Sequence, residues 1–212
     1  MLLDIQRIQV PPGQRVLLQN ITWPELEEIL ANLGDQRAAR IAYHHGTLEI
    51  MTPLAEHEFS KEIIGDLLKA LLEELDREFI SLGSTTFKNV AMAQGIEPDQ
   101  CFYIQNEPRV RGHCRIDLTI DPPPDLALEI DVTSRTHLDI YVGLGVPELW
   151  RFDRGELGIY LLGIDGYQQS STSLNFPDLP LLKVIPEYLR LSRSTGRNKA
   201  IKSFRDWVRS NI

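Results

Sequence analysis

The chain is short of cysteine, with only Cys101 and Cys114 among its 212 residues. The two cysteines do not form a CxxC pair, and one disulfide cannot hold together a domain of this size, so a disulfide framework is excluded. Such sparing use of cysteine is typical of proteins kept in a reducing compartment, and we therefore expect a cytosolic protein.

Long apolar runs are also lacking. No stretch approaches the roughly 20 apolar residues that a membrane-spanning helix needs. The N-terminal residues mix Asp4, Gln6 and Arg7 with apolar side chains, which is not the pattern of a secretory signal peptide. We therefore expect no membrane among the partners of this protein.

The sequence has no excess of positive charge. Its 22 lysines and arginines against 30 aspartates and glutamates give a formal net charge of -8. An acidic protein has no overall electrostatic attraction for DNA or RNA. Any binding of nucleic acid must therefore come from a local basic patch or through a bound cation.

The remaining composition, 42% hydrophobic and 25% charged, is that of an ordinary globular protein. We predict one domain over residues 1–212, with a core at about 38–165 and a basic helical extension at 182–212. The order of helical and strand patterns predicts an α/β fold, a mixed central β-sheet flanked by helices, with an N-terminal helix and a β-hairpin. Individual predictions include a helix after a Thr22–Glu25 capping box, a hairpin around His45-Gly46, a long amphipathic helix over 57–79, a strand over 116–120 and a helix over 135–145.

The most informative stretch runs from Pro124 to Ser134. After a proline run it becomes a short, mostly apolar segment of strand length. Because side chains alternate across a strand, Leu126, Leu128, Ile130 and Val132 are predicted to share one face, and Ala127, Glu129 and Asp131 the other. Two carboxylates on one face of a buried strand are unfavourable unless they are paired or bind a cation.

A third acid, Asp99, lies on another predicted strand. Carboxylates from neighbouring strands can hold Mg²⁺ or Mn²⁺, and the cation can then activate a water and stabilise charge on a phosphate. We therefore consider Asp99 and Glu129 as metal ligands. The alternative is that Asp99 and Asp125 are turn or strand-edge residues and that Glu129 pairs with an arginine.

Several motifs together resemble a known family. They are Glu97-Pro98-Asp99, then 124–130 with Ser134, then Tyr141, 145–150 and Asp153, with 46–51 and His57 upstream. This set is similar to the putative restriction-endonuclease family within the PD-(D/E)XK nuclease superfamily. The resemblance implies a restriction-endonuclease-like core, with Mg²⁺-dependent cleavage of phosphodiester bonds and with Asp99 and Glu129 as metal ligands. The expected partner is nucleic acid, and we favour DNA, although the sequence leaves double-stranded DNA, single-stranded DNA and RNA open.

The sequence departs from that pattern where the superfamily has a lysine two residues beyond the acid, because this position is Asp131. Many relatives instead carry the lysine on the following helix, four residues before the tyrosine, where this chain has His137. His137 can act as a cation only when protonated, although the neutral ring can accept a proton. Lys88 is another candidate. This departure keeps open a second hypothesis, a non-cutting binding or regulatory module on the same scaffold.

The resemblance also suggests that His57 and Glu49 approach the active-site cleft. The alternatives are a helix-start histidine bonded to backbone and a solvated strand residue. Tyr141 is expected in the core rather than in catalysis. A third hypothesis is a homo-oligomeric structural or interaction protein, such as a homodimer, with Trp150, Phe152 and Tyr160 at its interface rather than in the core. The C-terminal region carries seven basic residues. They either touch nucleic acid or balance acidic side chains, and we favour the second interpretation. The seven are Arg190, Arg193, Arg197, Lys199, Lys202, Arg205 and Arg209.

Overall fold

The structure is a computed structural model, and it describes residues 8–34, 39–83, 85–89, 94–131 and 138–212. The described residues form eleven strands and six helices in two sheets. The strands are β1 Arg15–Leu18, β2 Arg40–His44, β3 Thr47–Met51, β4 Ile80–Leu82, β5 Phe87–Asn89, β6 Gln94–Ile96, β7 Gln100–Tyr103, β8 Leu126–Ile130, β9 Glu148–Asp153, β10 Glu156–Gly163 and β11 Gly166–Ser170. The helices are α1 Trp23–Leu33, α2 Ala55–Glu74, α3 Glu107–Val110, α4 Leu138–Leu144, α5 Leu181–Thr195 and α6 Arg197–Arg209.

The N-terminal part forms a five-stranded antiparallel sheet in the order β1-β3-β2-β6-β5. Helix α1 precedes it and begins with the predicted capping box. The Thr22 side chain accepts from the Glu25 backbone and the Glu25 carboxylate accepts from the Thr22 backbone, so both exposed amides at the helix start are satisfied. The β2–β3 hairpin turns at His45 and Gly46, which both have positive φ, at 44° and 85°.

The six-stranded sheet, in the order β11-β10-β9-β8-β7-β4, carries the central stretch of the sequence. Its strands pair antiparallel except for β8 and β9, which run parallel. This mixed sheet, flanked by helices, confirms the α/β fold expected from the sequence.

Helices cover both faces of that sheet. Leu126, Leu128 and Ile130 face a large apolar cluster that includes residues of α2, α5 and α6. Ala127, from the opposite face, packs in a second cluster with Tyr141 and other residues of α4. The alternation predicted for this strand is therefore observed, apart from Val132, which lies outside the described residues.

Ion pairs connect the C-terminal helices α5 and α6, and the Gly196 turn between them, to α2. Arg193 contacts Glu56, Arg197 contacts Asp66, and Arg205 and Arg209 both contact Glu74. These arginines therefore balance acidic side chains, which is the interpretation favoured from the sequence. Arg190, Lys199 and Lys202 have no such ion pair within the described part of the chain.

Several sequence predictions need correction. Residues 116–120 are not a strand but a turn, in which the Asp117 carboxylate accepts from Thr119 and Asp117 N donates to the Asp121 carboxylate. Helix α2 begins at Ala55 and ends at Glu74, earlier than the predicted range. The helix predicted over 135–145 corresponds to α4, and its predicted start at residue 135 lies outside the described residues. The segment at 182–191, by contrast, lies within a helix that accommodates Pro186, in the region predicted as a basic helical extension.

Glu148 is the most deeply buried acid of the six-stranded sheet, with 0% of its surface exposed. Its carboxylate accepts from Trp150 Nε1 at 2.6 Å, from the Asn175 backbone amide at 3.0 Å and from Asn175 Nδ2 at 2.8 Å. A buried charge is tolerated when its hydrogen bonds are satisfied in this way. Glu148 therefore ties the start of β9 to the chain that precedes α5.

Replacing Glu148 with alanine should lower the free energy of unfolding by about 3 kcal/mol, because the buried donors Trp150 Nε1 and Asn175 Nδ2 lose their acceptor and a cavity is left. Urea denaturation followed by circular dichroism measures the change. The exposed Glu187 of α5 provides the control, since Glu187→Ala should change stability by less than about 0.5 kcal/mol. Equal effects of the two substitutions would contradict this role of Glu148.

Candidate active site

Asp99 and Glu129 come together at one end of the six-stranded sheet. The antiparallel register pairs Gln100 with Leu128, so Asp99, just before β7, lies beside the end of β8. The Ile130 backbone amide donates to Asp99 Oδ2 at 2.8 Å. Asp99 is 3% exposed, which places a carboxylate in a dry environment next to a second acidic residue.

Glu129 is partly buried on the same side of β8 as Ala127. The Tyr141 hydroxyl, from α4, donates to Glu129 Oε1 in a very short contact. Burial, followed by the charge of nearby Asp99, raises the pKa of Glu129 well above its ordinary value. The described residues hold no ion-pair partner for Glu129, so the arginine pairing considered from the sequence is not observed there.

Two basic side chains contact the Asp99 carboxylate. His57 Nε2 lies 3.0 Å from Asp99 Oδ2, and Arg40 Nη2 lies 3.5 Å from Asp99 Oδ1. The same two basic groups also contact Glu58. His57 Nδ1 lies 3.3 Å from Glu58 Oε1, and Arg40 Nη2 lies 3.5 Å from the same oxygen. The start of α2 and the start of β2 thereby hold Asp99 in a fixed orientation.

The surroundings of His57 favour its charged form. Burial by itself would lower its pKa, but the close approach of the Asp99 and Glu58 carboxylates raises the pKa of His57 to about 9. The contact with His57, and then that with Lys61, lowers the pKa of Glu58 to about 2. At neutral pH the His57 imidazolium therefore lies between two carboxylates, and the ring holds a proton rather than accepting one.

Asp131 follows β8 and pairs with Arg151. Arg151 Nε donates to Asp131 Oδ2 at 2.9 Å, and Nη2 contacts the same oxygen. In the parallel pairing of β8 and β9, Arg151 is directly opposite Glu129. This chain thus has an acid, Asp131, where the superfamily has a lysine. The neighbouring strand β9 places Arg151 in contact with that acid.

Other residues predicted for the site are placed elsewhere or are not described. Glu49 lies in β3 of the other sheet and contacts Arg15 of β1 at 3.1 Å. The side chain of Lys88 and all of His137 are outside the described residues. Asp125, the alternative structural acid, accepts from the backbone amides of Ile104 and Asn106, and therefore organises the loop after β7.

Sequence reasoning missed Arg40 and Glu58 and assigned Tyr141 to the core alone. Tyr141 is fully buried, as expected, but its hydroxyl also contacts Glu129. Glu58 is adjacent to His57, which was the only local signal available. Arg40 is 59 residues before Asp99 in the chain, so its approach depends on how the two sheets meet.

The donor set fits a hard divalent cation. Two carboxylates from adjacent segments can bind Mg²⁺, which commonly keeps several waters and takes its other oxygens from a substrate phosphate. Among the described residues, no group of three or more His, Cys, Asp or Glu side chains forms a candidate metal site.

The mixed sheet flanked by helices is of the restriction-endonuclease-like class. The chain resembles the structure of a putative nuclease belonging to DUF820 from Anabaena variabilis ATCC 29413, with a TM-score of 0.51 and 16% identity over 76% of this chain and 97% of that one. At this identity the similarity shows the fold alone. No curated protein is significantly similar in sequence.

The family itself is established by sequence. A family model described as Uma2, putative restriction endonuclease, matches residues 23–194, which is most of the chain. The chain therefore belongs to this family, as the resemblance of its motifs had implied. No helix in the described part of the chain is long and apolar enough to cross a membrane.

The raised pKa of His57 predicts a pH dependence of stability. A group whose pKa rises on folding, here from 6.5 to about 9, stabilises the fold fully below the lower value and loses that contribution as pH rises through the higher one. In EDTA, the free energy of unfolding should fall by an amount on the order of 3 kcal/mol between pH 6 and pH 10.

Chemical denaturation across this pH range measures the effect, with His57→Gln as the comparison. The variant should be less stable than the wild type at pH 6, and the two should converge near pH 10. Parallel curves for the two proteins would show that His57 does not carry the charge assigned to it.

Proposed function

We propose that this protein is an endonuclease that depends on a divalent metal, Mg²⁺ or Mn²⁺, and hydrolyses phosphodiester bonds of DNA. Membership of the family supports the class of reaction. The observation that carries the assignment is the approach of Asp99 and Glu129, which leaves Glu129 beside a second carboxylate with no basic ion-pair partner in the described residues. A cation between them would remove this repulsion.

The residues around the two acids would orient them for binding. The Ile130 amide and His57 fix both the position and the rotation of the Asp99 carboxylate. Tyr141 does the same for one oxygen of Glu129, and among the described residues no hydrogen bond engages the other oxygen. A metal bound there would supply a water of lowered pKa and would stabilise negative charge on the phosphate.

His57 would act as a positioning residue rather than a general base. Its pKa of about 9 keeps the ring protonated at neutral pH, and both ring nitrogens are directed at carboxylates. Its charge would limit the electrostatic cost of the neighbouring acids until a metal binds.

Arg151 would supply the fixed positive charge that the superfamily takes from its lysine. Its guanidinium lies on the side of the sheet that carries Glu129, held by Asp131. An arginine has five donors in a rigid arrangement, and two of its nitrogens contact Asp131, so donors remain to approach a phosphate. It would stabilise charge but could not act as a base.

The second candidate is a non-cutting module that binds nucleic acid on the same scaffold. The observation in its favour is that Asp131 stands at the position of the superfamily lysine and that its carboxylate is hydrogen-bonded to Arg151. Binding of DNA without cleavage in Mg²⁺ or Mn²⁺ would support this candidate over the nuclease.

Glu129→Gln should reduce cleavage of plasmid and single-stranded DNA in Mg²⁺ or Mn²⁺ by roughly 10²-fold or more, because one of two metal ligands is lost. The same substitution should abolish the rise in melting temperature that Mn²⁺ produces in the wild type. Without metal it should leave stability unchanged or higher, since the carboxylate repelled by Asp99 is gone.

Glu187→Gln, the same change on the exposed face of α5, should preserve both cleavage and the response to Mn²⁺. A wild-type protein that shows neither metal-dependent cleavage nor stabilisation by Mn²⁺ would refute the nuclease assignment.

A homodimer remains a prediction, although the interface expected for it is wrong in two of its three residues. Trp150 and Phe152 are buried in the core at 0% and 5% exposure. Tyr160 is only partly buried and packs against the second cluster. A sizing column would measure the oligomeric state.

The cytosolic location also remains an expectation, which rests on the low cysteine content.

A further inference from the structure

Arg40 lies where the chain crosses from one sheet to the other. The crossing is Glu97-Pro98-Asp99, between β6 of the five-stranded sheet and β7 of the six-stranded sheet. The Ile41 amide donates to Glu97 Oε2 at 3.2 Å, and Arg40 Nη1 donates to the Pro98 carbonyl at 3.2 Å. Only 12% of the Arg40 side chain is exposed. A permanent positive charge is therefore held in a poorly solvated junction between the two sheets.

The two oxygens of the Asp99 carboxylate have different neighbours. Oδ2 accepts from the Ile130 amide at 2.8 Å and lies 3.0 Å from His57 Nε2. Oδ1 lies 3.5 Å from Arg40 Nη2. Because Oδ2 is already engaged by two groups, Oδ1 is the oxygen left for a metal, and Arg40 is the cation that stands beside it.

Arg40 approaches the acids by charge rather than by hydrogen bonding. Its Nη2 lies 3.5 Å from both Asp99 Oδ1 and Glu58 Oε1, which is longer than the about 2.7–3.2 Å of an ordinary N–H···O hydrogen bond. Glu58 Oε1 is buried and has no hydrogen-bond partner among the described residues. The guanidinium is thus shared between two carboxylates, and a metal could take over its role at Asp99 without breaking a hydrogen bond.

The charge of Arg40 also reaches the second acid of the pair. Burial, and then the charge of Asp99, raise the pKa of Glu129, whereas the charge of Arg40 acts in the opposite direction. Arg40 therefore favours the ionised form of both acids. A divalent cation between them would do the same more strongly, because it carries two charges and binds carboxylate oxygens directly.

We propose that Arg40 is the counter-ion of Asp99 and Glu129 while no metal is bound, and that its charge opposes the binding of the metal. In the metal-free protein the guanidinium offsets part of the repulsion between the two acids. Once a cation is bound, it and Arg40 repel each other, which keeps the metal affinity below that of the carboxylates alone. The inference rests on the metal site proposed above, but it concerns binding of the ion and does not require cleavage.

The test compares the wild type with three variants in two measurements. Isothermal titration calorimetry at pH 7 gives the affinity for Mn²⁺, and thermal denaturation in EDTA gives the stability of the metal-free protein. Arg40→Gln removes the charge, and Arg40→Lys keeps it. Arg197→Gln is the matched control, because it removes the same charge from an ion pair with Asp66, further along α2.

Arg40→Gln should melt at a lower temperature than the wild type in EDTA, because the acids lose their counter-ion. It should nevertheless bind Mn²⁺ at least about fivefold more tightly, because the ion no longer faces a like charge. Arg40→Lys and Arg197→Gln should bind Mn²⁺ with an affinity within about twofold of the wild type. A residue that only supported the fold would lower the melting temperature without strengthening the binding of Mn²⁺.

Unchanged or weaker binding of Mn²⁺ by Arg40→Gln would overturn the proposal, and so would an equal gain of affinity in Arg40→Lys or Arg197→Gln. If Arg40→Gln is unfolded in EDTA, addition of Mn²⁺ should refold it. Failure of Mn²⁺ to do so would also overturn the proposal.

Cleavage of DNA by the wild type is scored separately. Tighter binding of Mn²⁺ by Arg40→Gln, together with no cleavage by the wild type, would support this role of Arg40 and contradict the nuclease. Metal-dependent cleavage by the wild type, with no gain of Mn²⁺ affinity in Arg40→Gln, would leave the nuclease and overturn this role of Arg40.

Discussion

The structure depends on the placement of two carboxylates, Asp99 and Glu129, side by side at the end of a sheet. Charges of one sign in a poorly solvated site repel each other strongly, and the protein must offset that repulsion. Around Asp99 it does so with the Ile130 amide, His57 and Arg40. Around Glu129 the described residues supply one hydrogen-bond donor, the Tyr141 hydroxyl, while burial and then the charge of Asp99 raise the pKa of this acid.

The rest of the fold holds this arrangement in register. Pairing of β7 with β8 brings the two acids together, and the parallel pairing of β8 with β9 places Arg151 opposite Glu129. Glu148, buried with all its donors in place, fixes the start of β9. Helix α2 packs on the far face and delivers His57 from its first turn. A shift of one residue in either strand pair would turn Glu129 or Arg151 to the other face of the sheet.

Local patterns were enough to predict much of this fold. The capping box at Thr22, the hairpin at His45-Gly46 and the alternation along β8 depend on neighbours in sequence, and each is observed. The strand expected at 116–120 failed because alternation of apolar and polar residues also occurs in turns. There the short Asp117 side chain bonds the backbone two residues on, which competes with strand pairing.

The candidate site was less accessible to sequence reasoning. Acids on two segments suggested a metal pair, but the arrangement of Arg40, Glu58 and Arg151 depends on contacts between distant segments. The charge on His57 could not be anticipated either, because burial and two carboxylates act on its pKa in opposite directions. Only the folded geometry decides which of these effects is larger.

The central claim is that Asp99 and Glu129 share one divalent cation. The most direct measurement is a crystal structure of the wild-type protein grown with Mn²⁺, with the metal located from its anomalous scattering. The account predicts one strong anomalous peak within bonding distance of carboxylate oxygens of both residues. A peak bound elsewhere, or no peak near this pair at saturating Mn²⁺, would contradict it.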